Sequence, residues 1–455
     1  MRPAIIAGGG LAGSEAAWQL AERGIAVTLY EMRPTKSTPA HKTDKLAELV
    51  CSNSLKSNAP QSASGLLKEE LRRAGSLLLR CADASAVPGG AALAVDRERF
   101  ADAVTRAVGG HPLITLRRGE LREIPAEDLT LIATGPLTSD ALAAQLQSLT
   151  GAASLAFYDS ISPIVDAETL NMARIFRASR YGKGGEDYLN CPLTEEEYRA
   201  FYEALVCAAS VPPHPFEDAS YFEACLPIEE LARRGYDTLR FGPMKPVGLT
   251  DPRTGRRPYA VVQLRPEDLR YSSYNLVGFQ NHLKFPEQQR ILRMIPGLER
   301  AEFLRYGQIH RNTYLNAPAL LQPDLSLRAA PKVFIAGQLS GVEGYVECVA
   351  TGLLAAFAMA SRVRGEDFAP PPRTTALGSL VHYVTHADPR QYQPANITFD
   401  LLPPVDDLPL AVARDRQARR ARQCERALAD LAAWLETLSF HSPGERTDEV
   451  LTTDS

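Results

Sequence analysis

The chain has 455 residues, 45% of them hydrophobic and 23% charged, with a formal net charge of -4 at pH 7. There is apolar material for two or three cores, and no global basic character, so any RNA contact must come from a local patch. Seven cysteines without a CxxC pair, no signal-peptide pattern, and no apolar run of the ~18 residues a membrane span requires fit a cytoplasmic protein with reduced thiols and no membrane association.

In chain order, Ala4 to Ala7 read as a buried strand and Gly8 to Gly13 as a glycine turn. Ser14 to Arg23 read as a helix stopped by Gly24, and Val27 to Glu31 as the next strand, giving a β-α-β unit. Gly8, Gly10 and Gly13 in "GGGLAG" stand in G-x-G-x-x-G spacing. The first glycine suits a tight turn, the second lets backbone approach a pyrophosphate, and the third lets helix pack on strand. Glycine turns are common, but this one joins a strand to a helix. Glu31 follows 18 residues after Gly13, where a carboxylate can accept from ribose hydroxyls. Dinucleotide binding therefore outweighs a plain turn.

Residues 36 to 63 are polar and aperiodic, a long loop that holds Cys51 in "ELVCSNSLKSNAP". "GLLKEELRRAGSLLLRCA" and "FADAVTRAV" read as helices, "LITLRRGELREI" as strands, and "DLTLIATGPLTSDALAAQLQSL" as strand, turn and helix. From about 157 to 323 the chain is rich in Tyr, Pro and Arg and loses the β-α alternation. "PKVFIAGQLSGVEGYVECVATGLLAAFAMASRV" then resumes it. Residues 365–410 look loop-rich, and a C-terminal helix follows. The expected fold is α/β: a discontinuous Rossmann-type FAD-binding domain (1–156 and 324–455) with an inserted α+β domain at 157–323.

Two segments favour FAD over NAD. "TLIATGP" resembles the strand-plus-ATG element of two-dinucleotide-domain flavoproteins. "KVFIAGQLSGVEGYVECVATGLLAA" resembles their late flavin-contacting strand-turn-helix, with Gly337 passing the ribityl chain. The residue after that glycine is commonly an acid; here it is Gln338, which can still hydrogen-bond a hydroxyl. The following helix start would point its positive end at the flavin. Among the cysteines, Cys81, Cys191, Cys207, Cys348 and Cys424 lie in apolar or helical settings that suit packing. Cys51 and Cys225 lie in polar or acidic ones, and the pattern alone leaves structural and catalytic readings of both open.

The blocks "YEMRP", "ELVCSNSLKS", "YLNCPL", "FEACLPIEEL", "GPMKPVGL", "YAVVQLR", "VGFQNHLKFPEQQR", "YGQIHRNTYLNAP" and "AGQLSGVEGYVE" together resemble the folate- and FAD-dependent tRNA uracil-5-methyltransferase family, TrmFO. They occur in order from Ile5 to about Pro404. The related wobble-uridine flavoproteins of the GidA or MnmG family are considerably longer.

The resemblance implies C5-methylation of uridine 54 in the T-loop of tRNA. The carbon comes from methylenetetrahydrofolate, the electrons from reduced FAD, and NADPH or NADH serves as reductant. It also implies that Cys51 and Cys225 are the catalytic pair, with Cys225 as C6 nucleophile and Cys51 as acid/base partner, or the two exchanged. By the same resemblance His282 stacks on the folate pterin and Tyr345 covers the isoalloxazine; packing is the alternative for each. No metal ligand set is implied. The rival readings are a GidA-like enzyme acting on another tRNA uridine and a generic NAD(P)H-dependent flavin oxidoreductase. For RNA, the sequence offers Arg174, Arg177, Arg180 and Lys183 beside Tyr181, expected as a mobile loop gripping the T-arm. It also offers the arginines of "RDRQARRARQCER", where a solvated helix is an equal alternative.

Overall fold

A computed structural model describes the chain except residues 1, 39, 152–154, 161, 183–185, 212–225, 268–270, 308, 407–408, 410–411, 413 and 439–455, and the side chains of 155–160 and 309–313. The central sheet is parallel, in the order Val333–Ile335, Thr130–Ile132, Ala4–Ala7, Val27–Glu31, Ile114–Arg118. Ile6 pairs with Leu131 on one side and Leu29 on the other, and all three are buried. Such uninterrupted apolar runs are what a sheet covered on both faces demands.

The helix Leu11–Ala21 begins three residues earlier than the sequence suggested, with Gly10 as its N-cap. Gly13 thus lies inside the first turn, where a Cβ would collide with the Gly8 carbonyl oxygen. The long helix Tyr345–Arg364 crosses Leu11–Ala21 closely, with Gly352 set against the Ala12 carbonyl. By length and composition it could span a membrane, but it is mostly buried as a core helix.

Some expectations hold with added detail and others are corrected. "GLLKEELRRAGSLLLRCA" is two helices, Ala63–Arg73 and Leu77–Ala84, because Gly75 takes φ 77° and Ser76 caps the second with its side chain. The loop after Lys36 contains a short strand, Ser54–Ser57. The stretch 365–410 contains a buried helix, Ala376–His386, whose start is capped by the Thr375 side chain and by Glu70 from a distant helix. Only Ile114–Arg118 of "LITLRRGELREI" is a strand. The C-terminal helix, Arg416–Thr437, buries Cys424, Ala427, Leu431, Trp434 and Leu435.

A second, antiparallel sheet runs Phe176–Arg177, Leu189–Leu193, Ala260–Pro266, Ser273–Leu276, Ile164–Asp166, Phe303–Arg305. One apolar cluster joins buried residues between Ala4 and Leu146 to others between Tyr314 and Leu438, and a separate one spans Val165 to Ala301. Polar contacts bridge the two regions at more than one point: the Gly90 amide donates to Asp187 and the Tyr188 hydroxyl to the Gly89 carbonyl, and a buried group surrounds Asn53. Asn53 donates to the carbonyls of Val95 (3.1 Å) and Pro266 (2.9 Å), and Arg97 pairs with Glu267 (2.5 Å).

Glu70 gives a pH test of the fold. Its carboxylate accepts from the Ala376 and Leu377 amides, both at 2.8 Å, and is fully buried. Burial pushes its carboxyl up to about 8, although those amides oppose the shift. The folded state therefore holds a proton that the unfolded chain releases above about pH 4.3. This stabilisation, complete at low pH, is lost as pH rises from there through 8. Glu70→Gln keeps an acceptor but cannot titrate. In thermal or urea unfolding its stability should fall between pH 5 and 8 by about 2–4 kcal/mol less than that of the native chain, apart from any constant cost. Parallel pH profiles would contradict the assignment.

Candidate flavin cleft and thiol loop

A cleft of about 1090 Å³ of empty space opens beyond the carboxyl ends of the central strands, lined among others by Gly8, Gly10, Glu31, Thr134, Gly337 and Gln338. That is where open α/β sheets bind nucleotides. A Cβ on Gly10 would meet no atom within 4 Å, so the backbone there stands bare at the cleft wall. The first turn of the helix Leu11–Ala21 carries no acidic side chain to compete for its amides.

Glu31 is tied more tightly than its spacing suggested. One carboxylate oxygen accepts from the Gly9 amide (3.0 Å), and the other from the Arg33 amide and Nε (2.9 and 2.8 Å). Burial alone would raise its carboxyl, but Arg33 and the Gly9 amide outweigh that and hold it below the usual range. Glu31 thus stays ionised and braces the glycine turn, while Oε2, which accepts only from the Gly9 amide among the described residues, retains a lone pair for a hydroxyl. Gln338 donates to Glu343 (2.9 Å), and the Gly337 amide donates to Thr351 Oγ1 (2.8 Å). A bare glycine turn at a helix start, an ionised acid at the second strand end, and glycine and amide groups on the far wall together fit an FAD dinucleotide.

The same cleft reaches Tyr345 and Cys348. Burial pushes the Cys348 thiol up, which suits a wall residue and no nucleophile. Tyr345 opens its helix, and its hydroxyl accepts from the amides of Cys51 (2.8 Å) and Ser52 (3.1 Å). Removing that oxygen would strand two backbone donors, at about 1–3 kcal/mol each. Cys51 is half-buried.

The loop that carries Cys51 is held from every side. Arg97 donates to the carbonyls of Leu49 (2.6 Å) and Cys51 (3.3 Å), and Arg265 to Ser52 Oγ (2.6 Å) and Asn53 Oδ1 (2.9 Å). Lys68, buried and pushed down to about 7 by that burial, donates to the carbonyls of Leu55 and Ser57. Lys56 reaches across to Glu347 (3.1 Å) and Asn396, linking the loop to the helix that Tyr345 opens. Arg97, Arg265, Lys56 and Lys68 were not singled out from sequence. Nothing in their local pattern marks them, because the partners of Arg97, Arg265 and Lys56 lie far away in the chain and those of Lys68 are backbone carbonyls of the loop before its helix.

His282 lies in the second region, nearly buried. Its amide donates to Glu229 Oε1 (2.8 Å), and its Nδ1 lies 3.2 Å from the same oxygen. Burial pushes the imidazole down to about 4 and the Glu229 carboxyl up to about 7, driving both toward their neutral forms. Cys225, three residues before the helix Ile228–Arg233 that carries Glu229, lies outside the described residues.

The RNA expectations fare unevenly. Arg180 is an anchor, not a mobile grip: its Nε donates to Gln263 (2.8 Å), and its guanidinium reaches the Lys245 and Val247 carbonyls. Arg174 pairs with Glu197 and Glu299. Arg177 is exposed, near Tyr271, and Lys183 lies outside the described residues. On the C-terminal helix, Arg426 donates to the Pro403 and Pro404 carbonyls and Arg420 lies over Phe399 (5.0 Å), so part of that arginine face packs inward.

Residues 3–367 match the family model for glucose inhibited division protein A. The methylenetetrahydrofolate–tRNA-(uracil-5-)-methyltransferase TrmFO of Solibacter usitatus is 62% identical over 435 residues, covering 94% of this chain and 98% of that protein. The TrmFO of Koribacter versatilis is 59% identical, covering 95% and 98%. Among solved structures, GidA of Aquifex aeolicus superposes with a TM-score of 0.69 at 15% identity over 95% of this chain but only 76% of its own length, a likeness of fold. Near-complete coverage of one group and partial coverage of the other separates the two. This chain belongs to the TrmFO family of methylenetetrahydrofolate–tRNA-(uracil-5-)-methyltransferases, the folate-using branch of the GidA-type flavoproteins.

Proposed function

We propose that this protein methylates C5 of uridine 54 in the T-loop of tRNA, with methylenetetrahydrofolate as carbon donor, FAD as redox cofactor, and NADPH or NADH as the reductant that recharges it. Folate-dependent uracil-5 methylation of tRNA is the activity of its family; the uridine, the T-arm and the nicotinamide are the finer part of the reading. The observation that carries it is the Cys51 loop, fastened through Tyr345 to the wall of the flavin cleft.

C5 of uracil becomes nucleophilic only once a group has added at C6. Cys225 adds there as thiolate, and the enolate forms a C5–CH2 bond to the folate-borne carbon. Cys51 takes the C5 proton, and the CH2–N bond breaks to release tetrahydrofolate and leave an exocyclic methylene. A hydride adds to that carbon, and the Cys225–C6 bond breaks as the ring double bond re-forms. FAD, held by Gly8, Gly10, Gly13, Glu31, Gly337, Gln338 and Tyr345, supplies that hydride when reduced. His282 stacks on the pterin, with its backbone amide held by Glu229. Residues 1–156 and 324–455 form the flavin-binding part and 157–323 the substrate part, a division supported by the two apolar clusters. The enzyme works in the cytoplasm alongside its tRNA and folate substrates.

The test incubates the FAD-bound protein with unmodified tRNA transcript, methylene-labelled folate and either nicotinamide. Label is expected in 5-methyluridine at position 54 and nowhere in a transcript carrying cytidine there. Methylation that draws its carbon from S-adenosylmethionine, or that survives the cytidine change, would refute the reading.

A further inference from the structure

Two guanidiniums bond the Cys51 loop and a third lies within electrostatic reach of Cys51, each from a separate element. Arg97 comes from the start of the helix Arg97–Gly110, Arg265 from the strand Ala260–Pro266, and Arg305 from the strand Phe303–Arg305. Arg265 is nearly buried and Arg305 half-buried. Arg97 also pairs with Glu267, so the charges facing the loop are three positive and one negative. Lys42 adds a further positive charge near Arg97 and Arg305. Tyr345 faces the same loop as a neutral phenol, which burial and the neighbouring Cys51 both push up.

Arg97 holds the Leu49 and Cys51 carbonyls, Arg265 holds Ser52 and Asn53, and the Tyr345 hydroxyl holds two of the loop's amides. Burying several like charges together is nonetheless costly unless an anion shares the space. A negative charge on Cys51 lies within electrostatic reach of Arg97, Arg265 and Arg305 alike. Ser52 and Asn53, which Arg265 grips, carry no formal charge, and Glu267, which also faces all three guanidiniums, supplies a single negative charge. Cys51 is the remaining acidic group that all three face.

We infer that Arg97, Arg265 and Arg305 are positioning residues that hold Cys51 as a thiolate, so that it enters the reaction already able to accept a proton. The inference rests on Cys51 as a catalytic thiol but is read without turnover. Opposed guanidiniums favour the charged form of a thiol as an adjacent cation does elsewhere. Among the described residues Arg305 makes no hydrogen bond to the loop and acts on Cys51 through charge alone, whereas Arg265 both grips and charges it.

The experiment measures iodoacetamide labelling of Cys51 in the FAD-bound protein as a function of pH, read on the Cys51 peptide by mass spectrometry. The native midpoint should lie well below the ordinary thiol value of about 8.5. Arg265→Met should raise it by about one unit and slow labelling at neutral pH roughly tenfold, with Arg265→Lys falling between. Arg305→Gln should also raise it while leaving flavin content and melting temperature as they are, and it carries the test if Arg265→Met fails to fold. A native midpoint at the ordinary value, or one that stays put in Arg305→Gln and Arg265→Met, overturns the inference. Loss of methylation on uridine 54 with these midpoints as expected would count against the proposed reaction and leave the thiolate standing.

Discussion

Gly10→Val is expected to give a folded protein without flavin. A Cβ at this position meets no protein atom within 4 Å, and the residue caps the helix in extended backbone (φ -75°, ψ -163°) that a β-branched side chain accepts. The chain therefore pays little for the change, while the isopropyl group fills space on the cleft wall where the dinucleotide backbone would lie. Overpacking of this kind costs about 1–3 kcal/mol, a loss of roughly tenfold to a hundredfold in affinity. Visible flavin absorbance per protein should drop accordingly, with the melting temperature of the flavin-free protein unchanged. Gly13→Val differs in kind. Its side chain would run into the Gly8 carbonyl and disrupt the turn itself, so both flavin and stability should go. Gly109→Ala, at an exposed site with open space around it, should remain yellow and stable.

The second large effect concerns the thiols. Cys51→Ala should retain FAD, because Tyr345 bonds to the backbone amides of residues 51 and 52 and not to the sulfur. Methylation should fall by about 10²–10⁴, the range for removing a general acid or base, and Cys225→Ala should cost at least as much. Single-turnover methylation of transcript, with flavin content and tRNA affinity measured on the same samples, checks both. An alanine variant at either position that methylates at the native rate would remove that thiol from the mechanism.

Much of this site could be read along the chain, because dinucleotide binding depends on local features. The glycine spacing, the strand before it and the acid after it are consecutive in sequence. Cys51 and Tyr345 could be named from motif resemblance, but not that the phenol accepts from the cysteine's own amide across nearly three hundred positions. The braces of the thiol loop escaped notice for the same reason: Arg97, Arg265 and Lys68 meet their partners only after folding. The helix Ala376–His386 has a local cap in Thr375 but was hidden by the prolines around it, and the carboxylate of Glu70 that completes its start comes from Ala63–Arg73. Arg180 misled in the opposite direction, since a basic residue beside an exposed tyrosine looks the same in sequence whether it grips RNA or anchors a turn.

The account turns on a thiol adding to C6 of the target uracil, and a tRNA carrying 5-fluorouridine at position 54 probes that step directly. Fluorine cannot leave C5 as a proton does, so the sulfur–C6 bond is not eliminated and the adduct persists. With reduced FAD and methylenetetrahydrofolate present, mass spectrometry of the digested complex should find the nucleotide on the Cys225 peptide, and Cys225→Ala should yield none. An enzyme that methylates ordinary tRNA yet forms no thioether with the fluorinated one at either cysteine would contradict the account.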